Sequence, residues 1–119
     1  MPPIGVPANA CVFCGRIERG EFDYCTDAAV SFEPLNPVTP GHLLVVPRMH
    51  VSDATVQPWV TAEVMRYAAE LAGLLRGPSN IITSVGKAAT QSVFHLHVHL
   101  VPRREGDGLH LPWTGQARR

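Results

Sequence analysis

The sequence predicts an α+β domain in which an antiparallel sheet carries helices on one face, and three observations support it. The stretch Gln91 to Arg103 changes polarity at every residue, with His95, His97 and His99 on one side and Phe94, Leu96, Val98 and Leu100 on the other. Successive strand side chains point to opposite faces, whereas a helix would scatter the three imidazoles around its circumference. Val60, Val64, Tyr67, Ala68, Leu71 and Leu75 recur at helical spacing and form one apolar stripe. The order of elements is three strands, a long helix and two strands, without repeat.

Residues 1–10 hold three prolines and read as a loosely ordered lead-in. Cys11 to Gly20 forms a compact knuckle, its first two cysteines on a tight turn and Ile17 its core anchor. Two strands follow, at about 22–26 and 28–33, joined in a hairpin at Asp27. Cys25, without a partner, reads as a core strand residue. Three prolines within residues 34–40 forbid regular pairing and make a rigid loop suited to holding a ligand. The third strand runs from Gly41 to Val46, and Ser52 caps a short turn through Thr55. The long helix spans about Pro58 to Arg76: proline suits its first turn, and Gly77-Pro78 ends it. The fourth strand covers about Asn80 to Val85, residues 86–90 turn, and the histidine strand closes at Pro102, which cannot donate to a ladder. From residue 104 onward the chain is a tail rich in Gly, Pro and Arg.

At 119 residues the chain is read as one domain over residues 1–119. Ten basic and ten acidic residues give a formal net charge of zero, so no electrostatic footprint for nucleic acid or anionic membrane is present. An anionic ligand must be held by a local site. No apolar run approaches the roughly 20 residues of a membrane span, and the Met1-Pro2-Pro3 start lacks a basic region followed by an apolar core. The expected location is cytoplasmic. There, three cysteines are not a disulfide framework, and the spacing Cys11-Val12-Phe13-Cys14 points to metal or redox chemistry.

Three aligned imidazoles have three readings: a polar face of an edge strand, a metal site, or a nucleophile toward phosphorus. Solvent faces favour Lys, Glu and Thr, which argues against the first. Against a catalytic metal held by all three, residues spaced two apart on a straight strand span roughly 13 Å, beyond one ion's shell. A neutral imidazole is a competent nucleophile at pH 7, since its ordinary pKa is about 6.5. The middle residue, His97, is centred on the triad.

The run His95-Leu96-His97-Val98-His99-Leu100-Val101 resembles the signature of the histidine-triad (HIT) nucleotide hydrolases and transferases at every position. Asn36 to His50, with Pro40-Gly41-His42 at its centre, resembles that family's second block, and the likeness runs from Cys11 to about Arg103. It implies a HIT-like fold: an antiparallel sheet of about five strands, one long helix and a short N-terminal helix. Resemblance to the zinc-containing bacterial-type branch implies a structural Zn²⁺ held by Cys11, Cys14, His50 and His95. A close cysteine pair plus two distant histidines is a common tetrahedral donor set. A redox pair, for which no βαβ context is present, and two ordinary buried thiols are the alternatives.

The resemblance further implies that His97 attacks the α-phosphate of a nucleotide and forms a nucleotidyl-histidine intermediate, which water hydrolyses. The backbone carbonyl of His95 would hold the other ring nitrogen. His99 and His42 would contact phosphoryl oxygens or tune the nucleophile, and Gln91, Ser92 and the N–H of Val93 would complete a phosphate cradle. Departures from the family pattern are visible. Ser84 stands where relatives commonly have Asn, Thr90 where they have Gly, and Pro34 where many place an acidic or Asn residue on the ribose. Ribose recognition then falls to Glu33 or Asn36. Members usually pair as homodimers, and Trp113 in the tail either reaches a partner subunit or anchors on its own.

Three functions compete. The leading one is hydrolysis of a nucleoside 5′-phosphoramidate or related nucleotidyl bond, on an AMP-like substrate. The same chemistry would serve a dinucleoside polyphosphate hydrolase of the Ap4A type, given room for a second nucleotide. From another class comes a zinc-stabilised nucleotide-binding module with little turnover, which would have no need of His97.

Overall fold

The computed structural model describes residues 10–114. In chain order these form α1 (Val12–Glu18), β1 (Tyr24–Cys25), β2 (Ala29–Phe32), β3 (Leu43–Pro47), α2 (Pro58–Leu75), β4 (Ser79–Ile82) and β5 (Val98–Pro102), with a short 3₁₀ turn at Lys87–Ala89. The strands make one five-stranded sheet in the order β1-β2-β3-β5-β4, antiparallel throughout.

The central strands are apolar on both faces, and the period of two sorts their side chains. Ala29, Val45, Val98 and Leu100 face α2 and meet Val60, Val64, Tyr67, Ala68 and Leu71. Val30, Phe32, Leu44 and Val46 point the other way and are covered by Cys11 and Phe13 of the α1 region, with Ile17 packed beside them. The helices therefore do not share a face, as the sequence reading had it. A sheet whose β2 is buried at all four positions needs a cover on each side, and the seven-residue α1 supplies the second.

Local signals explain the ends of α2. Pro58 occupies its first turn, and Thr61 Oγ1 donates to Ala54 O at 2.8 Å, fastening the helix to the turn before it. Asp53 caps that turn: its Oδ1 accepts from Thr55 N at 2.8 Å and Thr55 Oγ1 at 2.6 Å. At the far end Arg76 (φ 59°) and Gly77 (φ 84°) both enter the left-handed half of backbone space, so the reversal begins one residue before the glycine.

Cys25 is exposed on the two-residue edge strand β1 and is not a core residue. The hairpin turn it precedes is held by Thr26 Oγ1, which accepts from the N–H groups of Ala28 and Ala29. The segment after β5 is better fastened than its composition suggests. Arg103 pairs with Asp107 at 2.7 and 3.0 Å and reaches Asn80 of β4 at 2.6 Å, tying this loop to the sheet edge. Beyond it Trp113 is 73% exposed. The expected lead-in of residues 1–10 and the last five residues lie almost wholly outside the described chain.

Leu100 is fully buried between β3, β4 and α2. Leu100→Ala is expected to lower unfolding free energy by about 2–5 kcal/mol in a chemical denaturation experiment, through lost burial plus a residual cavity.

Candidate functional site

The histidine-bearing segment enters β5 from outside the ladder. Pairing begins at Val98, and residues 93–95 bend, so the strand expected from Gln91 is shorter at its start. The reason lies in where the backbone bonds go. Leu96 N donates to Val51 O at 2.7 Å, and Thr83 Oγ1 donates to His97 O at 2.7 Å. The buried Gln91 amide spans the bend, its Nε2 donating to Ser52 O (2.7 Å) and Val93 O (3.0 Å) and its Oε1 accepting from Gly86 N (2.8 Å). All of Gln91's bonding is directed at backbone, so it shapes the loop. The alternation survives the bend: Leu96, Val98 and Leu100 enter the α2 core, while the rings of His97 and His99 lie side by side, 5.3 Å between centroids.

Hydrogen bonds fix the tautomer of each imidazole. The Nδ1–H of His97 donates to His95 O at 2.9 Å, leaving Nε2 with a bare lone pair. Val38 N donates to His42 Nδ1 at 3.1 Å, so the neutral ring carries its proton on Nε2 and donates to His99 Nδ1 at 3.0 Å. His99 in turn carries its proton on Nε2. The site thus holds an acceptor nitrogen on His97 and a donor on His99. Burial holds all of these rings neutral: it lowers His97 despite the carbonyl bond, lowers His42, and takes His99 down to about 4, with the charges of His97 and His42 adding to the last.

His95 is buried completely and belongs to a second cluster. The Sγ atoms of Cys11 and Cys14 and the Nδ1 atoms of His50 and His95 all lie within 4.8 Å of one another. His95 Nε2–H donates to Pro47 O at 2.8 Å, so its Nδ1 is bare, yet it faces His50 Nδ1 at 3.1 Å and the two sulfurs at 3.4 and 3.5 Å. Tetrahedral ligation by two thiolates and two imidazoles sets donor atoms about 3.3–3.8 Å apart, so the group fits a metal ion. Without a cation, burial and the neighbouring Cys11 push the Cys14 thiol up to about 12; a divalent ion reverses that balance.

A cavity of about 410 Å³ is lined by Phe13, Arg16, Phe32, Pro34, Leu35 and Leu44 among others, and by none of the triad histidines. Phe13 joins the two, its ring 5.3 Å from that of His97 and 5.4 Å from that of Phe32. Sequence reasoning missed Phe13, Arg16, Leu44 and Thr83, and only the position of Phe13 between the two cysteines could have hinted at a role. Among the expected cradle residues, Ser92 is exposed at the bend, Val93 and Ser84 are half-buried on the adjoining loops, and Asn36 is exposed on the proline loop. Glu33 lines a different cavity, with Val38 and Thr39.

Because the folded pKa values of His42 and His99 lie below the ordinary value of about 6.5, the unfolded chain binds protons first on acidification. The contribution of His99 to stability is complete above about pH 6.5 and is lost as pH falls through about 4, and that of His42 is lost in the same direction. Urea midpoints measured at pH 7.5, 6 and 5 should fall in that order.

Sequence and structure comparisons agree with this geometry. The sequence model of the HIT domain matches residues 20–106. An uncharacterized HIT-like protein of Saccharolobus solfataricus is 37% identical over 101 residues, covering 77% of this chain and 73% of its own. The adenosine 5′-monophosphoramidase HNT1 of Saccharomyces cerevisiae is 31% identical, covering 90% of this chain and 72% of its own. Among solved structures, a zinc-bound histidine triad family protein from Mycobacterium smegmatis superposes with a TM-score of 0.75 at 35% identity, covering 87% of this chain and 82% of its own.

Proposed function

The chain belongs to the HIT domain family, and from that premise we propose that it hydrolyses a nucleoside 5′-phosphoramidate or related nucleotidyl bond at the α-phosphate. The observation that carries this reading is His97: its Nδ1–H is committed to His95 O, its Nε2 is bare, and its ring packs edge-on against Phe13, which also lines a cavity of nucleoside size. The similar yeast protein named adenosine 5′-monophosphoramidase supports the substrate class.

In the first step the Nε2 lone pair attacks phosphorus, the P–Nε2 bond forms and the P–N bond to the leaving amine breaks, with the amine taking up a proton. His99 Nε2–H points a donor toward phosphoryl oxygens or the leaving group, and His42 holds it in that tautomer. Water then attacks phosphorus, the P–Nε2 bond breaks, and the nucleoside monophosphate leaves with His97 restored. Ser92, the Val93 N–H, Ser84 and Asn36 are the proposed phosphate and nucleotide contacts, with Gln91 shaping their loop.

Zinc is the proposed occupant of the Cys11, Cys14, His50 and His95 cluster, in a structural role: it would neutralise the two thiolates and lock α1 to His95. The described residues include no helix long and apolar enough to cross a membrane. A homodimer is the proposed assembly, consistent with the unpaired edge of β4 and the exposed Leu74 and Leu75 that precede it. Light scattering would read its mass.

The test is turnover of adenosine 5′-phosphoramidate and diadenosine tetraphosphate by wild type and His97→Ala. Wild type should release AMP, and His97→Ala should lose on the order of a thousandfold or more in rate while still binding AMP. Binding without turnover in wild type would leave a nucleotide-binding module instead. For the metal, elemental analysis should find an equimolar amount of zinc, and Cys14→Ser should lose zinc and unfold at a lower temperature.

A further inference from the structure

The cavity bordered by Phe13 has a polar wall, formed by Arg16, Arg19 and Glu21, that the chemistry does not use. Phe32 lies beneath it yet is only 1% exposed, and the Arg16 guanidinium sits over its ring, 4.1 Å from the centroid. A base entering the cavity therefore meets Arg16 and not the face of Phe32. Arg16 Nε donates to Glu21 O at 3.2 Å, which steadies the guanidinium and leaves its two terminal amino groups for a ligand. The Glu21 carboxylate offsets its charge only in part. The nearby Glu21 carboxylate is gripped at both oxygens by Arg19, at 2.9 and 3.1 Å, and Arg16 has no ion-pair partner among the described residues.

We infer that Arg16 reads the base, selecting a purine that presents the paired acceptors O6 and N7 over adenine, and so favouring guanine and hypoxanthine nucleotides. The inference rests on the nucleotide-hydrolase reading above. A guanidinium is a planar fork of donors that matches two acceptors side by side, whereas the N6 amino group of adenine sets donor against donor. The apolar side chains of Val12, Leu35 and Leu44 in the same cavity accept any base face and supply no discrimination of their own. Arg16 is also well placed to discriminate, because α1 holds it rigidly: Phe13 is packed in the core on one side, and Cys11 and Cys14 lie in the metal cluster.

The test is calorimetric titration of the full zinc-loaded chain with GMP, IMP and AMP, for wild type, Arg16→Met and Arg16→Lys. Wild type should bind GMP and IMP about tenfold more tightly than AMP, the lower part of the range for one bidentate contact. Arg16→Met keeps an unbranched apolar stem over Phe32 and should erase the difference; Arg16→Lys keeps the charge without the fork and should erase most of it. Equal binding of all three nucleotides by wild type overturns the inference while leaving the hydrolase reading intact, and it needs no variant to fold. A uniform loss for all three in Arg16→Met also overturns it, making Arg16 a packing residue. Failure of every nucleotide to bind sinks both readings together.

Discussion

The structure turns on His95, a residue that carries three bonds in two directions. Its Nδ1 faces Cys11, Cys14 and His50, its Nε2–H donates to Pro47 O at the end of β3, and its carbonyl accepts from His97 Nδ1. A shift of that ring would move the carbonyl that orients the His97 ring, so the candidate metal cluster and His97 are mechanically linked: whatever fixes the His95 ring also fixes the direction of the His97 lone pair. The full burial of His95 makes the arrangement costly to leave unsatisfied and equally costly to rearrange.

Around that residue the site is assembled from backbone groups more than from charges. Val38 N, His95 O and Pro47 O each dictate where a ring keeps its proton, and all three are held by elements with little freedom. Val38 lies in the loop set by Pro34, Pro37 and Pro40, and Pro47 ends a central strand. Burial then keeps the imidazoles uncharged at neutral pH, so His97 offers its lone pair without needing to lose a proton. A site of neutral dipoles arranged in advance loses little to reorganisation when charge develops on a phosphoryl group.

Much of this was legible in the sequence because periodicity is a strong signal. The period of two from His95 to Leu100 and the stripe from Val60 to Leu71 each have one physical reading, and both sets fall on the faces expected. The donor set of Cys11, Cys14, His50 and His95 is brought together as the resemblance implied. What failed to show were features set by single contacts. The bend before β5 depends on Gln91 reaching the backbone of three separated residues, and the cap that Asp53 puts on the turn before α2 depends on one carboxylate oxygen. Cys25 looked like a core position because its strand was expected to be longer; with only two paired residues at the sheet edge, nothing packs over it. Arg103 and Asp107 sit in a segment of turn formers, where composition hides a half-buried ion pair.

The cavity adds a consequence that neither the triad nor the metal cluster has alone. Cys11 is the N-cap of α1, its Sγ accepting from Cys14 N at 3.3 Å, and the helix that begins there carries Phe13 and Arg16 into the cavity wall. Phe13 touches the rings of both His95 and His97 edge-on, so a single short helix bears on the candidate metal cluster, the His97 ring and the cavity wall. Seven residues of helix are too few to hold their shape from propensity alone. Their order comes from packing against β2 and β3 and from the thiols at their start. Coupling follows from that shortage: an element this small cannot be firm at one end and loose at the other, so the interactions that hold the His97 ring are the same ones that shape the cavity wall.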